Sequence, residues 1–407
     1  MSMKSSSSSV RDQYERWVYP EPIQDLEAHF KDGTSFVFGE PSLSFHAIWP
    51  DKKRFVPSIY VPGCGSSLAP MLAYLNPESR VVGTDISVSS LRHSRKLKTQ
   101  HNLDNLELKH LDLHESESLG ETFDLILVTG VLHHLPDPVG GAKALKAVLA
   151  PDGVMSVMLY GANLRAGIYM LQNAFKTLGL KQSPETVRRV RGVLEQLHPQ
   201  HAVQRYVSSA PELQHDAALV DTFLHPQDRA YTVDEIYEFA EQSGFEFQEW
   251  IERGHYNPKN YLQPSHPLYE DIIRLPLRER ASVVDNILQM VGSHRFYLRK
   301  SENRKTYLVD FSSDEFINWT PHLHPKILWG NDNGQPVLRR NDIDLHPNPL
   351  VPALLKYADG TRTIGECFEA LKAEGAQVTD NAIDAVRTVF EEMYHFGHLD
   401  IELTPHA

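Results

Sequence analysis

Val61-Pro62-Gly63-Cys64-Gly65-Ser66-Ser67 joins a short apolar strand, Ser58-Ile59-Tyr60-Val61, to a helical stretch that runs from Ser67 to Leu75. Glycine has no Cβ, so a Gly-x-Gly turn lets the backbone adopt strained torsions and come close to a ligand. The helix that follows opens with N–H groups that have no intrahelical partner. The next strand, Arg80 to Thr84, is closed by Asp85, which stands 20 residues beyond Gly65. A carboxylate at that place can bond both hydroxyls of a ribose.

The same alternation continues outward. Ser87 to Gln100 reads as a helix, Leu106 to His110 as a third strand and Phe123 to Thr129 as a fourth. Gly141 to Leu149 is helical, stopped by Pro151-Asp152-Gly153, and Val154 to Tyr160 is a fifth strand. Strands separated by helical periods predict a parallel sheet covered by helices on both faces. Residues 162–230 break the rhythm with helical pattern punctuated by Pro184, Pro199, Pro211 and Pro226, which predicts a helical insert. The rhythm resumes at Thr232, placed to cap a helix with Glu235. Phe245 to Ile251 and Arg295 to Arg299 complete the strands.

Two nucleotide-like ligands suit a glycine turn followed by a ribose carboxylate. A dinucleotide asks for a third glycine, and Gly63-x-Gly65-x-x-Leu68 lacks it, which weighs against NAD. S-adenosylmethionine has the ribose and adenine but no phosphate. Asp112, in Leu111-Asp112-Leu113 after the third strand, can accept a bond from an adenine amino group while leucines cover the ring.

With VPGCGSS, VVGTDIS, LDL, FDLILVTGVLHHL and LAPDGVM in this order over residues 59–160, the chain resembles the class I S-adenosylmethionine-dependent methyltransferases. The resemblance implies an α/β fold with a Rossmann-like seven-stranded sheet whose last strand, here 295–299, is antiparallel. It implies S-adenosylmethionine as cofactor. It carries the cofactor contacts onto Gly63, Cys64 and Gly65 by backbone, Asp85 and the adjoining Ile86 at the ribose, Asp112 and Leu113 at adenine, and Thr129 with Gly130 at the methionine end. Tyr14 and Tyr19, in an aromatic leader that many relatives share, join that set. Two positions depart from the family pattern: Pro62 stands where many members carry an acid, and Ser67 replaces the usual last glycine. These departures keep a second reading open, a methyltransferase fold without catalysis that acts as a scaffold or peptide-docking module.

Candidate catalytic residues are His133 and His134, which follow the fourth strand; neutral imidazole is tuned to take a proton near pH 7. Methyl transfer is an in-line displacement for which positioning alone supplies much of the rate. Candidate substrate contacts are Tyr160 at the end of the fifth strand and His225, Asp228 and Arg229 where the insert returns to the core. The alternative for Asp228 and Arg229 is an ion pair that fixes the lid. His322, His324, Asp344 and His346 are the densest histidine-rich group, but their irregular surroundings supply no ligand spacing, so no metal is expected.

Four regions are expected: a helical leader 1–35, a methyltransferase domain 36–300 with the insert 162–230 as its lid, an irregular linker 301–348, and a small α+β domain 349–407. The last, with helix, Asp359-Gly360 turn, two helices and an alternating end Leu399 to Leu403, resembles the winged-helix-like peptide-recognition domains of ribosomal-peptide modification. That resemblance implies that a strand edge takes up a leader or tail peptide by strand addition.

Composition sets the remaining limits. At 407 residues the chain has room for two to three domains, and 41% hydrophobic residues supply ordinary cores. A net charge of −13 disfavours nucleic acid as a partner. No stretch approaches the roughly 20 apolar residues of a membrane span, and the start, with Ser5 to Ser9, lacks the apolar region of a signal peptide. Two distant cysteines, Cys64 and Cys367, suit a reducing cytoplasm. The expected partners are a small-molecule or peptide acceptor and a peptide for the C-terminal domain; a homo-oligomer is compatible with the sequence.

Overall fold

The computed structural model describes residue 13 and residues 15–31, 35–303, 305, 307, 309–340 and 343–403. The described residues divide into two compact units. The first takes the chain up to Phe38, Val56–Phe247 and Tyr261–Asn303; the second takes Gly39–Phe55, Gln248–Asn260 and the described residues beyond 303.

The strands of the large sheet are β1 (Ile59–Pro62), β2 (Val81–Asp85), β3 (Leu106–His110), β4 (Phe123–Thr129), β5 (Leu149–Gly161), β6 (Ala230–Tyr231), β7 (Phe245–Trp250) and β8 (Ser293–Lys300). Their order is β3-β2-β1-β4-β5-β8-β7, with the two-residue β6 beside the end of β5. Strands β1 to β5 are parallel, and β8 runs antiparallel to β5 from Val154↔Arg299 to Tyr160↔Ser293. Every residue of β1 and β2 is buried, as expected of strands covered on both faces. The chain leaves β1 toward β2 and β3 and returns to β4, so strand order reverses at the carboxyl end of β1. Open α/β sheets bind their ligands at such a switch point.

Boundaries follow local chemistry. Ser67 stands at the N-cap of the helix Leu68–Leu75, and Ser87 caps Val88–Gln100 by accepting from the Ser90 N–H. Thr232 and Glu235 close the expected capping box on Val233–Gln242. The fifth strand differs from expectation: it begins at Leu149, before Pro151-Asp152-Gly153. Phe123 pairs Leu149 but Leu125 pairs Val154, so a register shift absorbs the turn residues inside the strand. The insert is helical as read, with Ala162–Thr177, Pro184–Gln196, Gln204–Ser209 and Asp216–Phe223. It has a core of its own, including Ile168, Phe175, Val190, Leu219 and Phe223.

The second unit corrects the expected domain layout. Residues 301–348 are not an irregular linker: they carry β9 (Thr320–Leu323), β10 (Leu328–Asp332), β11 (Gln335–Arg340) and β12 (Ile343–Leu345). Phe311, Phe316, Trp319, Leu338 and Leu345 from this stretch are buried in one core with Leu354, Phe368, Val386 and Phe390 from the C-terminal helices. The strands are short and broken by turns, so their apolar residues show no period. The segment Gly39–Phe55, expected within the methyltransferase domain, also belongs here. Its helix Pro41–Ile48 is tied by Gln248 Nε2, which donates to the Ala47 and Ile48 carbonyls at 3.2 and 2.9 Å. The Leu403 N–H donates to the Pro50 carbonyl. Helices Leu350–Leu355, Ile364–Ala373 and Asp380–His395 and the closing strand β13 (Leu399–Glu402) stand where the pattern places them. β13, however, pairs antiparallel with the upstream β9.

Candidate functional site

Gly63 and Gly65 both have left-handed torsions, φ +62° and +58°. A Cβ on Gly63 would lie 2.5 Å from Val131 Cγ2, in the loop after β4, whereas the space over Gly65 is open. The turn therefore requires one glycine for close approach and leaves the space over the other open. The Cys64 N–H is held by the Thr84 carbonyl at 2.9 Å. Burial pushes the Cys64 thiol well up, so its contribution is backbone geometry rather than thiolate chemistry. Ser94 Oγ donates to the Gly65 and Ser66 carbonyls at 3.1 and 2.9 Å, and Ser67 Oγ accepts from the Ile23 N–H at 3.2 Å.

Asp85 lies beside this turn, 8% exposed. Its carboxylate accepts from the Gly65 N–H at 2.8 Å and from the Ser87 N–H at 2.7 Å. Burial raises its pKa, and those backbone donors pull the other way. A carboxylate has about four acceptor positions, so capacity remains for two hydroxyls at the rim. Ile86 follows, half-buried, its carbonyl on His110 Nε2 at 3.0 Å. Asp112 caps the short helical turn Leu113–Leu119 and bonds His114 Nδ1 at 2.8 Å. The His114 imidazole holds the Asp112 carboxyl below its usual range, while Leu113 is buried beside it. Thr129 ends β4, and Gly130, φ +71°, opens the loop that carries the histidines.

A polar, aromatic cluster lies in the same unit. Tyr160 at the end of β5 has the His133 ring 3.9 Å away and the Arg165 guanidinium 3.6 Å over its face. Its hydroxyl donates to Asp221 Oδ2 at 3.2 Å. His134 stacks on His225 with ring centroids 3.9 Å apart. Gln227 assigns their tautomers: its carbonyl takes the His134 Nδ1–H at 3.1 Å, and its N–H donates to His225 Nδ1 at 3.1 Å. In the neutral imidazoles this puts the His134 proton on Nδ1 and the His225 proton on Nε2. Burial lowers the pKa of both His133 and His225, keeping them neutral.

Asp228 and Arg229 part company here. Asp228 is buried against Arg165 at 3.4 Å, Tyr169 Oη at 3.3 Å and Gln172 Nε2 at 3.0 Å. Arg229 turns to an exposed pair with Glu235 at 3.1 Å. The insert holds a buried ion pair in which Arg165 is the cation. Tyr14 lies outside the described residues. Tyr19 packs on the core of the insert, and burial together with Asp221 raises its pKa. Two other leader residues reach both ends of the site: Glu15 accepts from Ser87 Oγ and the Ser89 N–H at 3.2 Å, and buried Gln13 donates to Asp221 Oδ1 at 3.3 Å. Sequence reading missed Gln13, Glu15, Ser94, Arg165 and Asp221. Each is a common residue type in a helical or leader segment, with no motif to set it apart.

A family model described as a methyltransferase domain matches residues 62–155. An uncharacterized protein of Synechococcus sp. is 27% identical over 312 residues, covering 73% of this chain and 72% of that protein. A ubiquinone biosynthesis O-methyltransferase of Haemophilus ducreyi is 28% identical over 117 residues, 27% of this chain and 47% of the relative. Among solved structures, PKMT2 from Rickettsia typhi in complex with AdoHcy superposes with a TM-score of 0.64 at 15% identity, covering 91% of this chain and 76% of that one. At that identity the likeness speaks for the fold.

Proposed function

We propose that this chain, whose residues 62–155 are a methyltransferase domain of the class I fold, moves a methyl group from S-adenosylmethionine to an N, O or C nucleophile of a peptide or natural-product-sized acceptor. The observation that carries the reading is the buried Asp85 carboxylate bonded to the open Gly65 turn at the sheet's switch point. When bound, S-adenosylmethionine supplies an electrophilic methyl on a sulfonium. Asp85 takes the two ribose hydroxyls, Leu113 covers the adenine, and Thr129 with Gly130 borders the methionine end. Tyr160, His133, His134 and Arg165 wall the acceptor side. In-line placement of the acceptor is the main contribution of that wall.

Binding settles the cofactor. In isothermal titration or a thermal-shift series, S-adenosylmethionine and S-adenosylhomocysteine should bind and NAD should not. At about 100 times its dissociation constant, a ligand adds roughly 2.7 kcal/mol of stability. A shift with NAD alone, or with none of the three, would overturn the reading and favour a dinucleotide enzyme or a scaffold respectively.

His134 has the role of proton acceptor, because its Nδ1–H is committed to the Gln227 carbonyl and Nε2 is left as a base. General-base catalysis is worth roughly 10²–10⁴-fold. His134→Gln should therefore lower turnover by at least about 10²-fold with S-adenosylhomocysteine affinity unchanged. Turnover within about threefold of wild type would leave positioning as the whole mechanism.

A further inference from the structure

The ribbon β9–β13 in the second unit has two unlike faces. Leu323, Leu399 and Ile401 belong to the hydrophobic core. His322 and Asp400 stand opposite each other in register, and Glu402 follows on the same face two residues along. The end of the helix Pro41–Ile48 brings His46 to this face. The His46 and His322 rings stack with centroids 3.7 Å apart. Glu402 Oε2 is 3.0 Å from His322 Nε2 and 3.7 Å from His46 Nε2.

A proton shared between His322 and Glu402 accounts for the shorter distance only. His46 is 4% exposed, and neither of its ring nitrogens has a hydrogen-bond partner. An orphaned buried polar group destabilises a fold, yet His46 Nε2 stands 3.7 Å from an oxygen already close to a second imidazole. Ligand bonds of about 2.0–2.2 Å in a tetrahedral zinc site put neighbouring donor atoms about 3.3–3.6 Å apart. The two Nε2–Oε2 distances lie on either side of that edge, and one donor atom from each of the three side chains lies within 4.8 Å of the others, with the rings 19° from parallel, so that a turn of one ring brings both lone pairs onto an ion.

We propose that His46, His322 and Glu402 form a binding site for a divalent transition metal of the zinc class. The donor set is two imidazole Nε2 atoms and one carboxylate oxygen, a combination suited to zinc. The Asp359-Gly360 turn lies against the other edge of His322, where a Cβ on Gly360 would stand 3.0 Å from Nδ1. Nε2 is thus the ligating atom. Asp400 is engaged by Arg253 at 2.8 Å and stays outside the donor set. Side-chain exposures of 19% for His322 and 18% for Glu402 leave one side open, so water completes the coordination. The ion would join the helix 41–48 to a ribbon whose strands are far from it in sequence, a cross-link that stabilises the second unit.

Among the described residues one other group has comparable donors, His134, Asp221 and His225. There the Gln227 N–H occupies His225 Nδ1 and the proton sits on Nε2, which removes that imidazole as a ligand. The group serves as the control.

The test equilibrates the full-length chain with zinc chloride, removes excess by gel filtration and measures bound zinc, with cobalt(II) absorption as a second readout of the ligand geometry. The expected result is one ion per chain and a melting temperature that falls in EDTA. His46→Gln and Glu402→Gln should weaken zinc binding beyond the roughly 10–100-fold typical of outer-shell changes, whereas His225→Gln should retain it. Melting curves in EDTA establish that each variant folds like the metal-free wild type. No retained zinc, or zinc lost from His225→Gln but kept by Glu402→Gln, would overturn the assignment.

Discussion

Arg165→Leu is expected to cost about 3–5 kcal/mol of folding stability, the usual penalty for removing one partner of a buried ion pair. The Arg165 side chain is 2% exposed and Asp228 1%. Without the guanidinium, the Asp228 carboxylate keeps Tyr169 and Gln172 as donors but no counter-charge. The guanidinium also bonds Tyr206 Oη at 3.2 Å and covers the Tyr160 ring, so packing is lost with the charge. The double variant Arg165→Leu, Asp228→Leu should recover much of the loss, because replacing a buried pair by apolar groups is often neutral. Urea unfolding of both variants reads this directly. A single-variant cost below about 1 kcal/mol would place the pair with ordinary surface ion pairs and remove its role as an anchor of the insert.

Asp85→Ala is expected to weaken S-adenosylhomocysteine binding by at least about 100-fold. Hydrogen bonds to a charged group contribute about 1.5–3 kcal/mol each, and 1.4 kcal/mol is tenfold in affinity. Two ribose bonds therefore account for two decades or more before any loosening of the turn. Asp85→Asn separates the two causes: it keeps the shape and one acceptor for the backbone donors, and should fall between wild type and alanine. The raised Asp85 pKa means that its ionised form is disfavoured in the folded state. That stability cost is present once pH exceeds the folded pKa and absent below the unfolded value. At neutral pH the asparagine variant escapes that cost but leaves one of the Gly65 and Ser87 N–H groups without an acceptor, so it should melt close to wild type while binding more weakly. Equal affinity in all three proteins would show that the carboxylate only braces the turn.

The two regions of the site differ in how far sequence reveals them. The glycine turn, Asp85 and Asp112 are local: each lies at the end of a strand, and the structure puts all three at one edge of the sheet. Their spacing follows from strand and helix lengths, which periodicity exposes. The histidine and tyrosine cluster is different. His134 meets the Gln227 carbonyl across 93 residues, and Tyr160 meets Asp221 across 61. Arg165 resembles any helix arginine until Asp228 is seen buried against it. Asp228 and Arg229, adjacent in sequence, take different partners, Arg165 and Glu235.

The second unit makes the same point more sharply. Its C-terminal helices were legible from apolar spacing at Ile364, Phe368, Leu371, Val386 and Phe390, all buried in one core. The stretch before them was not, since short strands broken by Asn, Asp and Pro have too few residues to establish a period.

Local sequence pattern was enough for the alternating sheet, the glycine turn at its switch point, the helical insert and the helices near the C-terminus. These depend on residues within one or two elements of each other, where propensity, capping and periodicity act. Tertiary structure alone decided that Gly39–Phe55 joins the later chain, that Arg165 rather than Arg229 holds Asp228, and that His46 meets His322 and Glu402. Those outcomes rest on burial and charge pairing between distant segments. Sequence separation carries no information about such contacts until the cores have packed.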